Sequence, residues 1–158
     1  MTPDDTSSGA RPAVSEAQRL AERCAQALLA SDEASRNLGM RLEDVKPGFA
    51  RLRMAVRADM VNGHGMCHGG IVFALADSAF AVACNTYDSV TVAAAASIDF
   101  LTATRVSDEL TAEARELWRS KRSGIYEVSI ANQRGEAVAL FRGRSHCIGG
   151  PVVSPAKA

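Results

Sequence analysis

The sequence predicts an α+β domain in which a mainly antiparallel sheet packs against one long, buried helix. Residues 71–86 are apolar almost all round, whereas a surface helix would show a polar stripe, so this segment should be a central helix. Before and after it, the chain reads as short strands bounded by turn-forming residues, two preceding the helix and four following it. Strands and helix segregated in this way favour the α+β class.

Length and composition limit the possible classes of protein. The 158 residues fit one domain, and that is long enough to bury a core without disulfide or metal support. Its 18 basic and 18 acidic residues cancel, so no overall field attracts nucleic acid or an anionic membrane. No apolar stretch is long enough to cross a bilayer, and the N-terminus lacks the apolar core of a signal peptide. We therefore expect a cytoplasmic protein without nucleic-acid or membrane partners.

The predicted elements follow in order along the chain. Residues 1–13 are polar and rich in Thr, Ser and Pro, which is typical of a disordered arm. Ser15 and Gln18 fit a capping box, and an amphipathic helix follows that ends near Ser31. Residues 14–150 are expected to form one domain, and residues 151–158 a loose tail.

Six strands are predicted, with one ambiguity. Their ranges are 40–45, 49–56, 91–101, 109–119, 124–131 and 136–147. A turn at residues 46–48, Lys-Pro-Gly, separates the first two strands. The third is ambiguous, because its alanines at 93–96 favour helix whereas Val92, Ile98 and Phe100 favour strand.

A family resemblance rests on residues 62–85, which read NGHGMCHGGIVFALADSAFAVACN. Here a His-Gly-Gly triplet is followed, nine residues after its histidine, by Asp77 in the apolar helix. Together with SIDFL at 97–101 and ALFRGRSH at 139–146, the segment resembles hotdog-fold thioesterases, and most of all the PaaI group associated with phenylacetate degradation. The likeness covers roughly residues 40–150.

The resemblance implies a helix wrapped by a curved sheet, assembled as a homodimer or a dimer of dimers. It also implies hydrolysis of acyl-CoA thioesters without a metal, often with phenylacetyl or hydroxylated phenylacetyl groups. Coenzyme A then belongs to the substrate, and no other cofactor is expected. Two alternatives stay open: a hotdog hydratase or dehydratase acting on acyl thioesters, and a non-catalytic acyl-CoA-binding protein.

Asp77 is the main catalytic candidate. A carboxylate in an apolar helix is costly unless it is paired, and Asp is a poor interior helix former. It either bonds a loop backbone as a structural residue, or attacks the thioester carbonyl directly or through an activated water. The sequence does not separate the two catalytic routes.

Four further residues lie at the predicted start of the same helix. The free N–H groups of Gly69 and Gly70 could bind the thioester oxygen as negative charge builds on it, or the two glycines could simply form a turn. In the resembling family, His68 and Asn62 help to position the carbonyl or the lytic water. Each could instead make only a hydrogen bond that fixes the loop.

A zinc site is the competing interpretation of the histidines and cysteines. His64, Cys67 and His68 cluster in sequence, and His146 and Cys147 are adjacent. Neighbours on a strand point to opposite faces, so His146 and Cys147 could not both join one site. No CxxC or HxxxH spacing is present, and we expect no metal.

Basic residues are candidates for the nucleotide end of coenzyme A, although each could equally be an ordinary solvated charge. This substrate-binding group consists of Lys121, Arg122, Ser123 and Gly124 in one strand turn, and of Arg142 and Arg144 on one strand face.

The spacing of Gly69 and Asp77 predicts a homodimer. Eight helical residues rise about 12 Å, which is too far for both residues of one chain to reach the same carbonyl. Two helices antiparallel across a two-fold axis would bring Asp77 of one chain to Gly69 or Gly70 of the other, in shared active sites.

Overall fold

A computed structural model describes residues 14–153 of the chain. The arm predicted at 1–13 and most of the tail, residues 154–158, lie outside the described residues. The helices are α1 (Glu16–Ala30), α2 (Glu33–Asn37) and α3 (Gly69–Cys84), with a short 3-10 turn at Ala58–Met60. The strands are β1 (Arg41–Lys46), β2 (Phe49–Ala55), β3 (Thr91–Phe100), β4 (Glu109–Arg119), β5 (Ser123–Ala131) and β6 (Ala137–Cys147).

The six strands form one antiparallel sheet in the order β1-β2-β4-β5-β6-β3. Helix α3 packs on one face of it, in contact with every strand from β2 to β6. This is the hotdog arrangement, and both the predicted fold class and the predicted central helix are confirmed. None of the helices between residues 14 and 153 is long and apolar enough to cross a membrane.

The core lies between α3 and the sheet. Phe80 of α3 lies 5.3 Å from Tyr126 and 5.8 Å from Phe141, measured between ring centroids. Gly143 of β6 lets this ring approach, because a Cβ there would lie 2.9 Å from Phe80. Since a Phe-to-Ala change in a core costs about 3–5 kcal/mol, Phe80 is a main anchor of α3.

The N-terminal helix begins as predicted, but only half of the capping box forms. The Ser15 side chain accepts a hydrogen bond from the Gln18 N–H. The Gln18 side chain does not bond back to Ser15, and instead donates to the Val45 carbonyl of β1 and to Glu22. Tertiary contact with the sheet edge therefore replaces the local bond.

The short helix α2 was not predicted. Its five residues carry no apolar repeat, and it is fixed by polar contacts instead. Asp32 caps it by accepting from the Ser35 N–H, and the buried Ser35 hydroxyl lies 2.8 Å from that of Ser78 on α3. The helix thus depends on a contact with a residue 43 positions away, which local patterns do not show.

Strand β3 resolves the ambiguity at its alanines in favour of a strand. It pairs along its length with β6, and the Asn85 side chain at the end of α3 holds its first residue, Thr91, through two hydrogen bonds. Its other edge is unpaired among the described residues, and residues 92–97 are exposed. An uncharged, exposed edge of this length is typical of a surface that another chain covers.

Two residues of the segment expected to be a loose tail, Val152 and Val153, make hydrogen bonds to the rest of the domain. The Asp88 carboxylate accepts hydrogen bonds from the N–H groups of Val152 and Val153 at 2.9 and 2.8 Å.

Candidate active site

The loop before α3 is held in a tight turn by Asn62. Its Oδ1 accepts hydrogen bonds from the N–H groups of His64 and Met66, and its backbone N–H donates to the Met66 carbonyl. Gly65 completes the turn with a φ of +71°, a conformation that favours glycine. Asn62 therefore fixes the loop, and it also lines the cavity described below.

His68 is the N-cap of α3. Its Nδ1 accepts a hydrogen bond of 3.0 Å from the Gly70 N–H. An accepting Nδ1 carries no proton, so the neutral ring has its proton on Nε2, which stays available as a donor. His68 thus makes a local hydrogen bond, one of the two alternatives open for it, and this bond occupies the Gly70 N–H that was a candidate donor to substrate.

Gly69 is the first residue of α3, and its N–H donates no hydrogen bond to any residue between 14 and 153. Such a group carries partial positive charge at a helix start. Above the glycine lies Phe100, the last residue of β3, whose ring would be 3.1 Å from a Cβ at this position. The free N–H of Gly69 therefore lies beside the aromatic ring of Phe100.

Asp77 lies two turns further along α3, half-buried. Among the described residues its carboxylate has no hydrogen bond and no ion pair, so the structural reading of a loop-fixing Asp has no contact to support it. Burial raises the pKa of this carboxyl above its ordinary value of 3.8. The neighbouring Ser78 points to α2, where it meets Ser35.

One chain does not bring the Gly69 N–H and the Asp77 carboxylate together. Both lie on α3, separated by about 12 Å along its axis and by about 80° around it. Between them runs the less buried side of the helix, with Gly70, Ala74 and Ala81 flanking Asp77 at helical spacing. Small residues on this side leave room for another helix.

A cavity of about 260 Å³ opens beside Gly69. It was not foreseen, because its walls come from four separate segments. They include Asn62, Met66, Cys67, Gly69, Val72, the run from Phe100 to Thr104, and Val138. The only local signal was the apolar pair Phe100-Leu101 at a strand end, and both side chains are more than half exposed.

The predicted binding residues in the turn between β4 and β5 differ in their exposure. Lys121 and Arg122 are exposed and line a surface cleft with His146 and Cys147. The Ser123 hydroxyl already donates a hydrogen bond to the Ser145 carbonyl at 3.0 Å. Gly124 is buried, and a Cβ there would lie 2.7 Å from Tyr126. Close packing thus gives a structural reason for a glycine at this position, and its contact with substrate stays a prediction.

Arg142 and Arg144 project from the face of the sheet opposite α3, as their exposure and the burial of Gly143 between them show. Arg142 lies 3.7 Å from Glu127, and both residues are exposed. Lys121 and Arg122 lie in the β4–β5 turn beside His146 at the end of the same strand, and the four basic residues together are called the basic strip. This strip does not line the cavity beside Gly69.

The candidate metal ligands are dispersed. Within residues 14–153, no three His, Cys, Asp or Glu side chains lie close enough together to hold a metal ion. Cys67 is a buried free thiol, and burial raises its pKa, so the thiolate that a metal or a nucleophilic mechanism needs is disfavoured. The absence of a metal requirement stays a prediction.

Comparison with known proteins decides the family. The thioesterase superfamily profile matches residues 64–139. The acyl-coenzyme A thioesterase PaaI of Escherichia coli is 45% identical over 132 residues, which are 84% of this chain and 94% of that protein. The chain belongs to the thioesterase superfamily. The predicted thioester hydrolase and the resemblance to the PaaI group are thereby confirmed.

Solved structures agree with this membership. The structure of E. coli PaaI, from the phenylacetic acid degradation operon, matches this thioesterase with a TM-score of 0.84 at 44% identity, covering 85% of this chain and 97% of that one. A mutant of the phenylacetic acid degradation protein PaaI from Thermus thermophilus matches with a TM-score of 0.71 at 36% identity, covering 74% and 100%.

Proposed function

We propose that this thioesterase hydrolyses acyl-CoA thioesters to a free acid and coenzyme A, with Asp77 as its catalytic carboxylate. The observation that carries the proposal is the unpartnered Asp77 on the central helix. A half-buried carboxylate without a hydrogen bond or ion pair loses hydration and does not stabilise the fold. Such a group is typical of a catalytic residue. The name of the E. coli relative, an acyl-coenzyme A thioesterase, supports the choice of coenzyme A esters.

The reaction needs two groups that this chain offers. The Gly69 N–H donates to the thioester oxygen as the carbonyl carbon becomes tetrahedral and negative charge develops. Asp77 either removes a proton from the attacking water or attacks the carbon itself to form an anhydride that water then opens. In both routes a carbon–oxygen bond forms and the carbon–sulfur bond breaks. Coenzyme A leaves as a thiolate and takes up a proton.

The acyl group is proposed to be aromatic, of the phenylacetyl or hydroxyphenylacetyl type. The E. coli and T. thermophilus relatives are named for phenylacetic acid degradation. The basic strip formed by Lys121, Arg122, Arg142 and Arg144 is the proposed contact for the coenzyme A phosphates, because it offers exposed cations that no buried carboxylate neutralises.

The working unit is proposed to be a homodimer with shared active sites, able to pair further into a dimer of dimers. Asp77 and Gly69 are too far apart on α3 for one chain to use both on the same carbonyl. A second copy running antiparallel along the open side of α3 would bring its Asp77 to this Gly69. The unpaired edge of β3, which is uncharged over residues 92–97, offers the same partner a surface to cover.

Release of free thiol from a panel of coenzyme A esters tests the function. We expect the wild type to hydrolyse phenylacetyl-CoA, and Asp77→Asn to lose a factor of about 10²–10⁴ while it stays folded. Asp44→Asn on β1 is the matched control, because its partly exposed ion pair with Lys46 contributes little. Water addition to an enoyl-CoA without thiol release would indicate a hydratase, and binding without turnover a non-catalytic protein.

A further inference from the structure

Cys147, the last residue of β6, differs from the other cysteines in its exposure. The other three are buried, and burial raises the pKa of each thiol: Cys24, Cys67 and Cys84. Cys147 is only partly buried, and its Sγ lies 3.0 Å from the Ser89 hydroxyl. Since a thiol buried in apolar surroundings is inert, Cys147 is the cysteine that a reagent in solution can reach.

The groups around the Cys147 sulfur favour its thiolate form. The hydrogen bond with Ser89, a second one from the Gly149 N–H and the charge of Arg122 lower the pKa of this thiol below its ordinary value of 9.0. The thiolate is the nucleophilic form of cysteine, and reactive cysteines occupy partly exposed, electropositive surroundings of this kind. More thiolate is thus present near neutral pH than at an unperturbed cysteine.

Two cavities meet at Cys147. One is the surface cleft of about 560 Å³ that Lys121 and Arg122 line. The other is a narrow pocket of about 40 Å³ that reaches the buried Tyr126. Ser89, Lys121 and Cys147 line both of them. The thiol and the lysine therefore border the same space.

Backbone hydrogen bonds hold Cys147 and Lys121 near each other. The Cys147 N–H donates to the Arg122 carbonyl at 2.9 Å, which places Cys147 beside the residue that follows Lys121. In the ladder between β5 and β6, Ser123 pairs with His146. The sheet thus sets the positions of both residues. An acyl group on the Cys147 sulfur lies within reach of the long, flexible side chain of Lys121.

The surface cleft carries positive charge that no carboxylate in its wall neutralises. Lys121 and Arg122 line it, and no Asp or Glu among residues 14–153 does. Such a wall attracts the phosphates of a coenzyme A ester and raises the local concentration of the ester. The volume of about 560 Å³ lies within the range of small-molecule sites, about 300–1,000 Å³. The cleft therefore has the charge and the size to admit an acyl-CoA beside a nucleophilic thiol.

We propose that Cys147 accepts an acyl group from a coenzyme A thioester and passes it to Lys121, which makes this lysine a site of self-acylation. The proposal goes beyond the hydrolysis proposed above, and it takes from that function only the class of acyl donor. Acylation removes the positive charge of a lysine. The basic strip therefore loses one of its four cations when acyl-CoA accumulates.

The reaction consists of two transfers of the acyl group. The Cys147 thiolate attacks the carbonyl carbon, a new carbon–sulfur bond forms, and coenzyme A leaves as a thiolate when its own bond to the carbon breaks. The neutral amine of Lys121 then attacks the same carbon, an amide forms, a proton passes to water, and the Cys147 thiolate is released. The second transfer is fast because both groups belong to one molecule.

The experiment incubates the Asp77→Asn protein with butanoyl-CoA, so that hydrolysis does not consume the ester, and follows acylation by peptide mass spectrometry. We expect one hydroxylamine-resistant butanoyl group on Lys121. It should form at least about tenfold faster than after the additional change Cys147→Ser, which removes the first acceptor. Lys121→Arg keeps the charge but not the amine, so the acyl group should stay on Cys147 as a thioester that hydroxylamine removes.

Lys46 on β1 is the matched control, because its side chain is exposed and no cysteine lines its cleft. Its acylation should be slower than that of Lys121, and Cys147→Ser should not change it. Acylation of Lys121 that is no faster than that of Lys46, or that Cys147→Ser leaves unaffected, would overturn the proposal.

Alkylation with iodoacetamide gives a second measurement that needs no variant at Cys147. The reagent should label Cys147 before the three buried cysteines, and the labelled protein should lose the fast acylation of Lys121. Labelling of a buried cysteine first would contradict the proposal.

Hydrolysis is measured separately, as thiol release by the protein with an intact Asp77, and Cys147→Ser should leave its rate unchanged. If the wild type releases thiol while Lys121 stays unmodified, self-acylation alone is wrong. If the wild type hydrolyses no ester although Lys121 is acylated, the proposed hydrolysis alone is wrong.

Discussion

The Gly70 N–H donates a 3.0 Å hydrogen bond to Nδ1 of His68. This bond satisfies one of the free donors at the start of α3 and leaves the N–H of Gly69 for another acceptor. The two glycines that look equivalent in the sequence are therefore distinct in the structure. One serves the cap of the helix, and the other faces the cavity.

The cap predicts the behaviour of two His68 variants. His68→Ala removes the acceptor of the Gly70 N–H and should lower the free energy of unfolding by about 1 kcal/mol. His68→Asn supplies a side-chain oxygen that suits an N-cap, so it should recover most of that loss. Urea denaturation of the three proteins measures the difference. Equal stability of the Ala and Asn variants would show that the cap contributes nothing.

The raised pKa of Asp77 predicts that Asp77→Asn is more stable than the wild type at neutral pH. Burial disfavours the charged carboxylate, so the folded pKa lies above the unfolded value of 3.8. Below 3.8 the wild type carries a neutral carboxyl and has no penalty, and the penalty grows as pH rises through the raised folded pKa. The gain in Tm on substitution should thus be present at pH 7 and fade towards pH 3.

A gain in Tm that is the same at pH 3 and pH 7 would show that ionisation of Asp77 is not its cause. Asp44→Asn serves as the control here as well, because Asp44 is paired with Lys46 and should show no such gain.

The buried thiol of Cys67 predicts that Cys67→Ser stays active. Burial raises the pKa of this thiol, so little thiolate is present near neutral pH to act as a nucleophile. Serine preserves its approximate size beside the cavity, and turnover of phenylacetyl-CoA should stay within a few-fold of the wild type. An inactive but folded Cys67→Ser would instead indicate a role for this cysteine in the mechanism.

Removal of metal should leave turnover unchanged. The dispersed His and Cys side chains of residues 14–153 offer no three-ligand site, and both steps of the proposed reaction are assigned to Asp77 and a backbone N–H. Protein treated with a chelator is expected to keep full activity, and elemental analysis should find no stoichiometric zinc. A stoichiometric metal whose removal abolishes activity contradicts the account.

The fold was predictable because local patterns and tertiary structure agree along most of the chain. The apolar run that became α3 has no polar stripe, and the strand pattern of β2 places Leu52 and Met54 on its buried face. Helix α2 escaped prediction because it has no apolar repeat, and one of its contacts joins Ser35 to the distant Ser78.

The candidate site was predictable only in part. Asp77 and Gly69 were identified because a lone carboxylate and a glycine at a helix start are visible in the sequence. The cavity was not, since Met66, Phe100 and Val138 meet only when three segments are folded together. The close packing of Tyr126 and Ser145 against Gly124, which leaves little room for a Cβ, was likewise not visible in the sequence.

The shared active site is the central claim, and two inactive variants test it. Asp77→Asn removes the carboxylate. Gly69→Pro removes the donor N–H at the first position of α3, where proline is favoured and where Gly69 has no positive φ to forbid it. Gly69→Ala is the matched control, because it keeps the N–H and adds a Cβ that displaces only the Phe100 ring.

The decisive measurement is thiol release after the two inactive proteins exchange subunits. Half of the dimers are then mixed, and each mixed dimer has one site with an intact Asp77 opposite an intact Gly69, so activity should return to about a quarter of the wild-type value. Before exchange, Gly69→Pro must be folded and inactive, while Gly69→Ala should keep activity. If mixing restores nothing although mixed dimers form, each chain holds a complete site and the shared-site account is wrong.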